Sequence, residues 1–245
     1  MQLFFCDDLK GNFAYFDEEE SRHLTQVLRR KIDDIVHFTD GKGNLHAAKI
    51  VEIQKRAVIL EIFETKNDVG RRQYDLQIAI APTKNMDRLE WFVEKAVEIG
   101  VSDISLIICK NSERTVVKTP RLQGIATSAM KQSLKTELPQ IQEAISFEDF
   151  LKKTIQNLDE PKAVQKFIAH CQTSNLPPPS INRQNEEKIV ILIGPEGDFT
   201  VREVALAKQH GFVEISLGAA RLRTETAGIV AVHTVSMMKN FEIKE

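Results

Sequence analysis

The spacing of apolar residues changes character near Gly70. Before it, β-forming residues come in short runs at Ile35 to Thr39, Leu45 to Ile53 and Ala57 to Phe63, and Asp40-Gly41-Lys42-Gly43-Asn44 supplies turn chemistry between the first two. This pattern predicts a small β-barrel. Ahead of it, Asp17-Glu18-Glu19-Glu20 has capping-box-like spacing, and Leu24, Val27 and Leu28 share one face of the helix it would start. The polar, turn-prone stretch from Lys66 to Arg72 reads as a linker, so the chain divides into residues 1–70 and 71–245.

The second part alternates. Leu76 to Pro82, Ile104 to Cys109, Ala163 to Cys171, Ile189 to Ile193 and Val213 to Leu217 are predicted strands separated by helical segments, which argues an α/β fold with a largely parallel sheet. Leu89, Phe92, Val93, Ala96 and Val97 form an apolar stripe that ends at Gly100, a residue suited to a helix C-cap. Trp91 lies off the centre of that stripe, where partial burial at a domain or subunit contact is favoured over stacking on a base. Thr200-Val201-Arg202-Glu203 is a capping box for a helix ending near Gly211, and a final helix carries Ile229, Val230, Val232, Val235 and Met238. Gln172 to Glu187, with Pro177-Pro178-Pro179 in a polar setting, reads as a surface loop.

Composition narrows the class. The chain has 245 residues, which suits one large domain or two smaller ones with real cores. Its three cysteines, Cys6, Cys109 and Cys171, are widely spaced, which argues against a disulfide framework and for a reduced compartment. No apolar run is long enough to span a membrane, and Met1 to Asp8 lacks the basic start and apolar stretch of a signal peptide, so the expected location is the cytoplasm. The six histidines show no metal-ligand spacing, and no metal is expected. A net charge of −2 gives no general attraction to nucleic acid. Phosphate attraction needs only a local patch. Two are present: Arg22, Arg29, Arg30 and Lys31, and a stretch from Lys110 to Lys135 in which Arg114, Lys131 and Lys135 are among six cations facing Glu113 alone.

Two glycine-bearing loops follow predicted strands, Ile193-Gly194-Pro195-Glu196-Gly197-Asp198 and Ser216-Leu217-Gly218-Ala219-Ala220-Arg221-Leu222-Arg223. Ligands of open α/β sheets bind beyond the carboxyl ends of strands, and Gly194, Gly197 and Gly218 are free to take positive φ there. Neither a Lys-Ser/Thr phosphate cradle nor a Gly-x-Gly-x-x-Gly is present, so kinase-like and dinucleotide readings fall. A loop of backbone amides and carbonyls with Glu196, Arg221, Arg223 and Glu225 nearby suits an adenosine-like ligand with a polar tail.

Gly194-Pro195-Glu196-Gly197-Asp198-Phe199 with Glu203, then Ser216-Leu217-Gly218 and Leu222-Arg223-Thr224-Glu225-Thr226-Ala227, resembles the signature of the ribosomal RNA small subunit methyltransferase E family. The likeness extends through Lys84, Arg88 to Glu90, Val93 to Lys95, Glu98 to Val101 and Gln132-Ser133 with Pro139. It also reaches His23-Leu24, Val27-Leu28-Arg29 and Asp40-Gly41. Asp198 stands where the family's second glycine is usual, Ala219 to Leu222 interrupt the usual run before Arg223, and Leu134-Lys135 replaces a frequent arginine.

The resemblance implies a PUA-like β-barrel followed by a SPOUT domain with a trefoil knot, and a homodimer. It implies an S-adenosylmethionine-dependent enzyme that methylates N3 of a uridine in 16S rRNA, with the small ribosomal subunit as the setting. By position after three strands, His170, Cys171, Ile193, Gly194, Pro195, Glu196, Gly197, Ser216, Leu217, Gly218 and Leu222 would enclose the cofactor. Arg223 would stabilise charge on the uracil oxygens once N3 loses its proton, and Glu225 or a water would take that proton. Glu225 could equally be a helix-start carboxylate paired with an arginine. Arg22, Arg29, Arg30, Lys31, Lys84, Arg88, Arg114, Lys131 and Lys135 would meet RNA. Ribose 2′-O methylation and a non-catalytic RNA-binding role remain as alternatives.

Overall fold

A computed structural model describes residues 2–72, 74–156, 164–172, 176–182 and 188–240. The chain forms two units, Met1–Arg71 with Thr127–Leu138, and Arg72–Ala126 with Pro139–Glu245.

The first unit is a six-stranded sheet in the order β1-β4-β5-β6-β3-β2. Its strands are β1 (Leu3–Phe5), β2 (Leu9–Lys10), β3 (Phe13–Phe16), β4 (Ile35–Thr39), β5 (Leu45–Ile53) and β6 (Val58–Lys66). All pairings are antiparallel except β1 with β4. Two register shifts, at Ala47/Ala48 and Ile50/Glu52, add local bending to the long β5–β6 pair. Alternate residues point inward, so Phe4, Phe16, Val36, Phe38, Ala48, Ile50, Val58 and Leu60 form one core, with Phe16 edge-on to Phe38 at 5.7 Å.

Asp17 caps helix α1 (Glu18–Arg22), its Oδ1 accepting from the Glu20 N–H at 2.8 Å. The capping-box expectation then fails at Glu20, whose carboxylate binds the Lys131 ammonium instead. The helix also changes pitch, continuing as a π-helical turn over His23–Val27. Its wider turn breaks the expected stripe: Leu24 is fully buried, while Val27 is left 66% exposed. Thr127–Leu138 completes this unit through main-chain bonds to the turn after β4, with Gly43 N donating to Thr136 O at 2.9 Å and Leu138 N to Gly41 O at 2.8 Å.

In the second unit, six parallel strands run in the order β12-β10-β11-β7-β8-β9. They are β7 (Asp75–Ile80), β8 (Asp103–Ile108), β9 (Gln140–Ser146), β10 (Val164–Ala169), β11 (Lys188–Ile193) and β12 (Val213–Ile215). Central strands β7 and β11 are buried along nearly their whole length, which explains the continuous apolar run of β11 and that of β7, broken only by Gln77, which donates to Ser105 Oγ. The expected strand start at Ala163 and parts of the Gln172 to Glu187 loop lie outside the described residues.

The helices are α2 (Met86–Ile99), α3 (Thr119–Gln132), α4 (Phe147–Gln156), α5 (Val201–Gln209) and α6 (Thr224–Asn240). Helix α2 starts at Asn85, whose side chain accepts from Asp87 N, and ends at Gly100 with φ 131°. Its buried residues are the five of the expected stripe, and Trp91 is 44% exposed. Thr200 and Glu203 form the expected capping box of α5. Among the described residues no helix is long and apolar enough to cross a membrane.

Candidate functional site

Beyond the carboxyl ends of β10, β11 and β12 lies a cleft of about 270 Å³. Ten of the expected ligand residues line it: His170, Cys171, Ile193, Gly194, Pro195, Glu196, Ser216, Leu217, Gly218 and Leu222. Ala169, Asp198, Ala220, Arg221, Arg223, Thr224 and Ala227 join them. Gly197 does not. A Cβ added at Gly197 would meet Asn111 Cβ at 3.1 Å, so its small size makes room for a neighbouring loop. Of the three glycines free to take positive φ, one uses that freedom. It is Gly218, at 130°, while the left-handed residue of the first loop is Asp198, at 61°.

Two side chains and two main-chain N–H groups, from four other segments, fix the first loop. Thr224 Oγ1 donates to Gly194 O at 3.0 Å, and Glu196 Oε1 accepts from Lys84 N at 2.9 Å. Asn111 Nδ2 donates to the carbonyls of Gly197 and Asp198 at 3.1 and 3.0 Å. Cys171 N donates to Asp198 Oδ2 at 2.9 Å. The second loop is held by its own serine, with Gly218 N donating to Ser216 Oγ at 3.2 Å.

His170 is fixed from both ring nitrogens. Gln172 N donates to Nδ1 at 3.2 Å, which leaves Nε2 to donate to Glu214 Oε1 at 3.1 Å. Hydrogen bonding to Lys208, with a smaller contribution from His170, holds the Glu214 carboxyl below its usual value. The wall at the end of β10 is therefore braced on strand β12 and helix α5.

The cleft suits a molecule with a flat apolar body and a polar tail. Apolar surface comes from Ala169, Ile193, Leu217, Leu222 and Ala227, with main-chain polar groups between them. Glu196 Oε2 is buried with no hydrogen-bond partner among the described residues, which leaves an acceptor for a cationic or hydroxyl group.

Arg221 and Arg223 line the cleft with exposed side chains that make no hydrogen bond or ion pair among the described residues. Glu225 is outside the lining. It is only 6% exposed, its Oε1 lies 3.8 Å from Arg88 Nε, and its Oε2 is buried with no partner among the described residues.

The basic residues divide by what they touch. Arg22, Arg29, Arg30 and Lys31 are exposed on the first unit, with Arg29 at φ 55°. Lys131 is paired with Glu20, and Lys135 is half-buried. In the second unit, Lys84 pairs with Glu113 at 2.7 Å, and Arg114 Nη2 donates to Lys84 O at 2.7 Å. Sequence reasoning missed Asn111, Thr224 and the carboxylate of Asp198. Thr224 was legible as a polar residue at a helix start; Asn111 had no such signal.

Cysteine chemistry gives a direct check on the cleft. Burial pushes the Cys6 thiol up to about 11 and drives the buried Cys109 thiol further in the same direction, while Cys171 is exposed on the cleft wall. Thiolate is the reactive form, so brief alkylation of the native protein should label Cys171 alone. Intact-mass analysis should read one adduct natively and three after denaturation. Labelling of Cys109 in the native protein would contradict the described packing.

Comparison with known proteins agrees with this architecture. Residues 71–236 match the RNA methyltransferase domain model and residues 16–63 the RNA methyltransferase PUA domain model. A probable rRNA-methyltransferase from Porphyromonas gingivalis is 36% identical and superposes with a TM-score of 0.87 over 98% of this chain and 99% of that one. A ribosomal RNA small subunit methyltransferase E from Neisseria gonorrhoeae, solved bound to S-adenosyl methionine, is 25% identical with a TM-score of 0.85, covering 99% of this chain and 100% of that one. The curated ribosomal RNA small subunit methyltransferase E of Buchnera aphidicola is 29% identical over 249 residues, 97% of this chain and 93% of its own. With a family model spanning most of its length and relatives of this kind along nearly all of it, the chain belongs to the RNA methyltransferase family.

Proposed function

We propose that this protein is an S-adenosylmethionine-dependent methyltransferase acting on N3 of a uridine in 16S rRNA. The observation that carries the reading is the braced cleft at the ends of β10, β11 and β12, in a chain whose relative of the same architecture was solved with S-adenosyl methionine bound. Bound there, the cofactor supplies a methyl group activated by a cationic sulfur.

The residues of this chain then have separable tasks. Ile193, Leu217 and Leu222 hold the adenosine body, His170, Cys171, Ser216 and Gly218 present main-chain groups, and Glu196 takes a polar group of the tail. Gly194 and Pro195 shape the loop, and Gly197 lets Asn111 hold it. Arg223 stabilises the negative charge that spreads over the uracil carbonyls as N3 loses its proton. Glu225 or a water is the proposed proton acceptor: Glu225 Oε2 is buried with no partner among the described residues, and Arg88 lies beside Oε1.

Arg22, Arg29, Arg30 and Lys31 hold the RNA backbone without reading its sequence. Lys84, Arg88 and Arg114 of the second unit, and Lys135 of the Thr127–Leu138 segment, would also meet RNA. Lys131 contributes chiefly to structure through Glu20. The reading includes a trefoil knot in the second unit, a homodimer paired through its apolar helices, cytoplasmic action, and small-subunit rRNA as partner.

Calorimetric titration tests the cofactor half of this reading. The expected result is one S-adenosylmethionine site per chain with micromolar affinity, on the order of −8 kcal/mol. Absence of binding at millimolar cofactor would overturn it.

A further inference from the structure

Asp198 occupies the left-handed region, which aspartate tolerates because its short side chain bonds locally. Its main-chain N–H closes a turn onto Pro195 O at 2.9 Å. One carboxylate oxygen, Oδ1, accepts from Phe199 N at 2.8 Å, and the other, Oδ2, accepts from Cys171 N at 2.9 Å. Cys171 follows β10, and Asp198 belongs to the loop after β11. The single carboxylate therefore ties together two walls of the cleft that both strands feed.

A second strap runs alongside, from the Gln172 side-chain amide to Phe199 O. Phe199 is itself anchored: it is 2% exposed and packs against Phe147 with ring centroids 5.5 Å apart. The Cys171 wall is thus tied to a loop with a fixed base.

We infer that Asp198 is a positioning residue that sets the cleft to its binding width before any ligand arrives. The inference rests on the proposed cofactor cleft. Glycine at this position would permit the same φ, yet would leave the Cys171 N–H without its carboxylate and release the wall. Aspartate thus adds to this chain a bond that a glycine cannot make. Ordering the wall in advance removes an entropic cost from binding, which strengthens affinity without a new ligand contact.

Two variants of the full chain separate this role from backbone strain. Asp198→Gly keeps the left-handed conformation and removes the clamp. Asp198→Asn keeps the conformation and one acceptor, which can serve Cys171 N, while its NH2 replaces the oxygen that accepts from Phe199 N. Amide exchange in the ligand-free protein should speed up about tenfold at Cys171 in Asp198→Gly, and S-adenosylmethionine affinity should fall about tenfold, as loss of a hydrogen bond to a charged group predicts. In Asp198→Asn both effects should be smaller, about threefold, because one of the two acceptors remains. Wild-type exchange and affinity in Asp198→Gly would overturn the inference. Equal losses in both variants would also overturn it, by showing that an acceptor kept for Cys171 N does not hold the wall. If the wild type failed to bind the cofactor, the proposed function would fall, while exchange at Cys171 would still decide the clamp.

Discussion

Arg223→Ala should lower the single-turnover rate of methyl transfer about 100- to 1,000-fold, the usual effect of losing one preorganised donor to a developing oxyanion. Cofactor affinity should change far less. The side chain is exposed at the cleft and makes no hydrogen bond or ion pair among the described residues, so its removal leaves no buried group unsatisfied. The adjoining helix start survives as well, because Ala227 N bonds to the main-chain oxygen of Arg223 at 2.8 Å. Arg223→Lys retains a charge but not the planar fork, and should fall between Ala and wild type. Rapid-quench methylation at saturating cofactor reads the rate, and calorimetry reads the affinity. A near-normal rate for Arg223→Ala would make the residue structural and shift the search to Arg221.

Gly228→Val should destabilise the second unit by about 2–3 kcal/mol, the upper range for overpacking a filled core. Glycine within a helix is itself unfavourable by about 0.5–1 kcal/mol relative to alanine, so a packing reason is needed for it in α6. That reason is the approach of α2. A Cβ at Gly228 would lie 2.5 Å from Phe92 Cε2, 2.7 Å from Phe92 Cδ2 and 3.1 Å from Ile80 Cδ1. Phe92 is fully buried and cannot swing into solvent. Gly228→Ala should be milder but still destabilising, and Phe92→Leu in the same chain should recover part of the loss by opening space. Denaturant unfolding checks the series. A gain in stability for Gly228→Ala would follow helix propensity alone and would contradict the close crossing of α2 and α6.

Where local pattern and burial agree, the sequence was an adequate guide. Strands β4 and β5 begin and end where their β-forming runs do, and all five apolar residues of the α2 stripe are buried. Strand β9 was missed for the opposite reason. It lies at the sheet edge with no residue fully buried, and its sequence, Gln140-Ile141-Gln142-Glu143-Ala144-Ile145-Ser146, carries a weak apolar signal. The π-helical turn after α1 has no residue pattern of its own, so Val27 was expected on the apolar face. Placement of Thr127–Leu138 with the first unit depends on bonds such as Thr39 Oγ1 to Thr136 O, 97 residues apart, which no local pattern can announce.

The cleft was legible in outline because both loops follow strands and carry small residues. Its finer construction was not. Glycine spacing suggested three flexible points, whereas Gly197 serves contact with Asn111 and Asp198 takes the left-handed position. A carboxylate gives no sign in sequence of which amide it will accept. The loop's attachments to Asn111 and Cys171 follow from the order in which β7, β8, β10 and β11 are brought together.

Mass spectrometry of nucleosides from 16S rRNA tests the central claim most directly, using cells that lack this protein and cells in which it is restored. The account predicts that N3-methyluridine disappears from 16S rRNA without the protein, returns with the wild type and fails to return with Arg223→Ala. Unchanged N3-methyluridine in cells lacking the protein would contradict it.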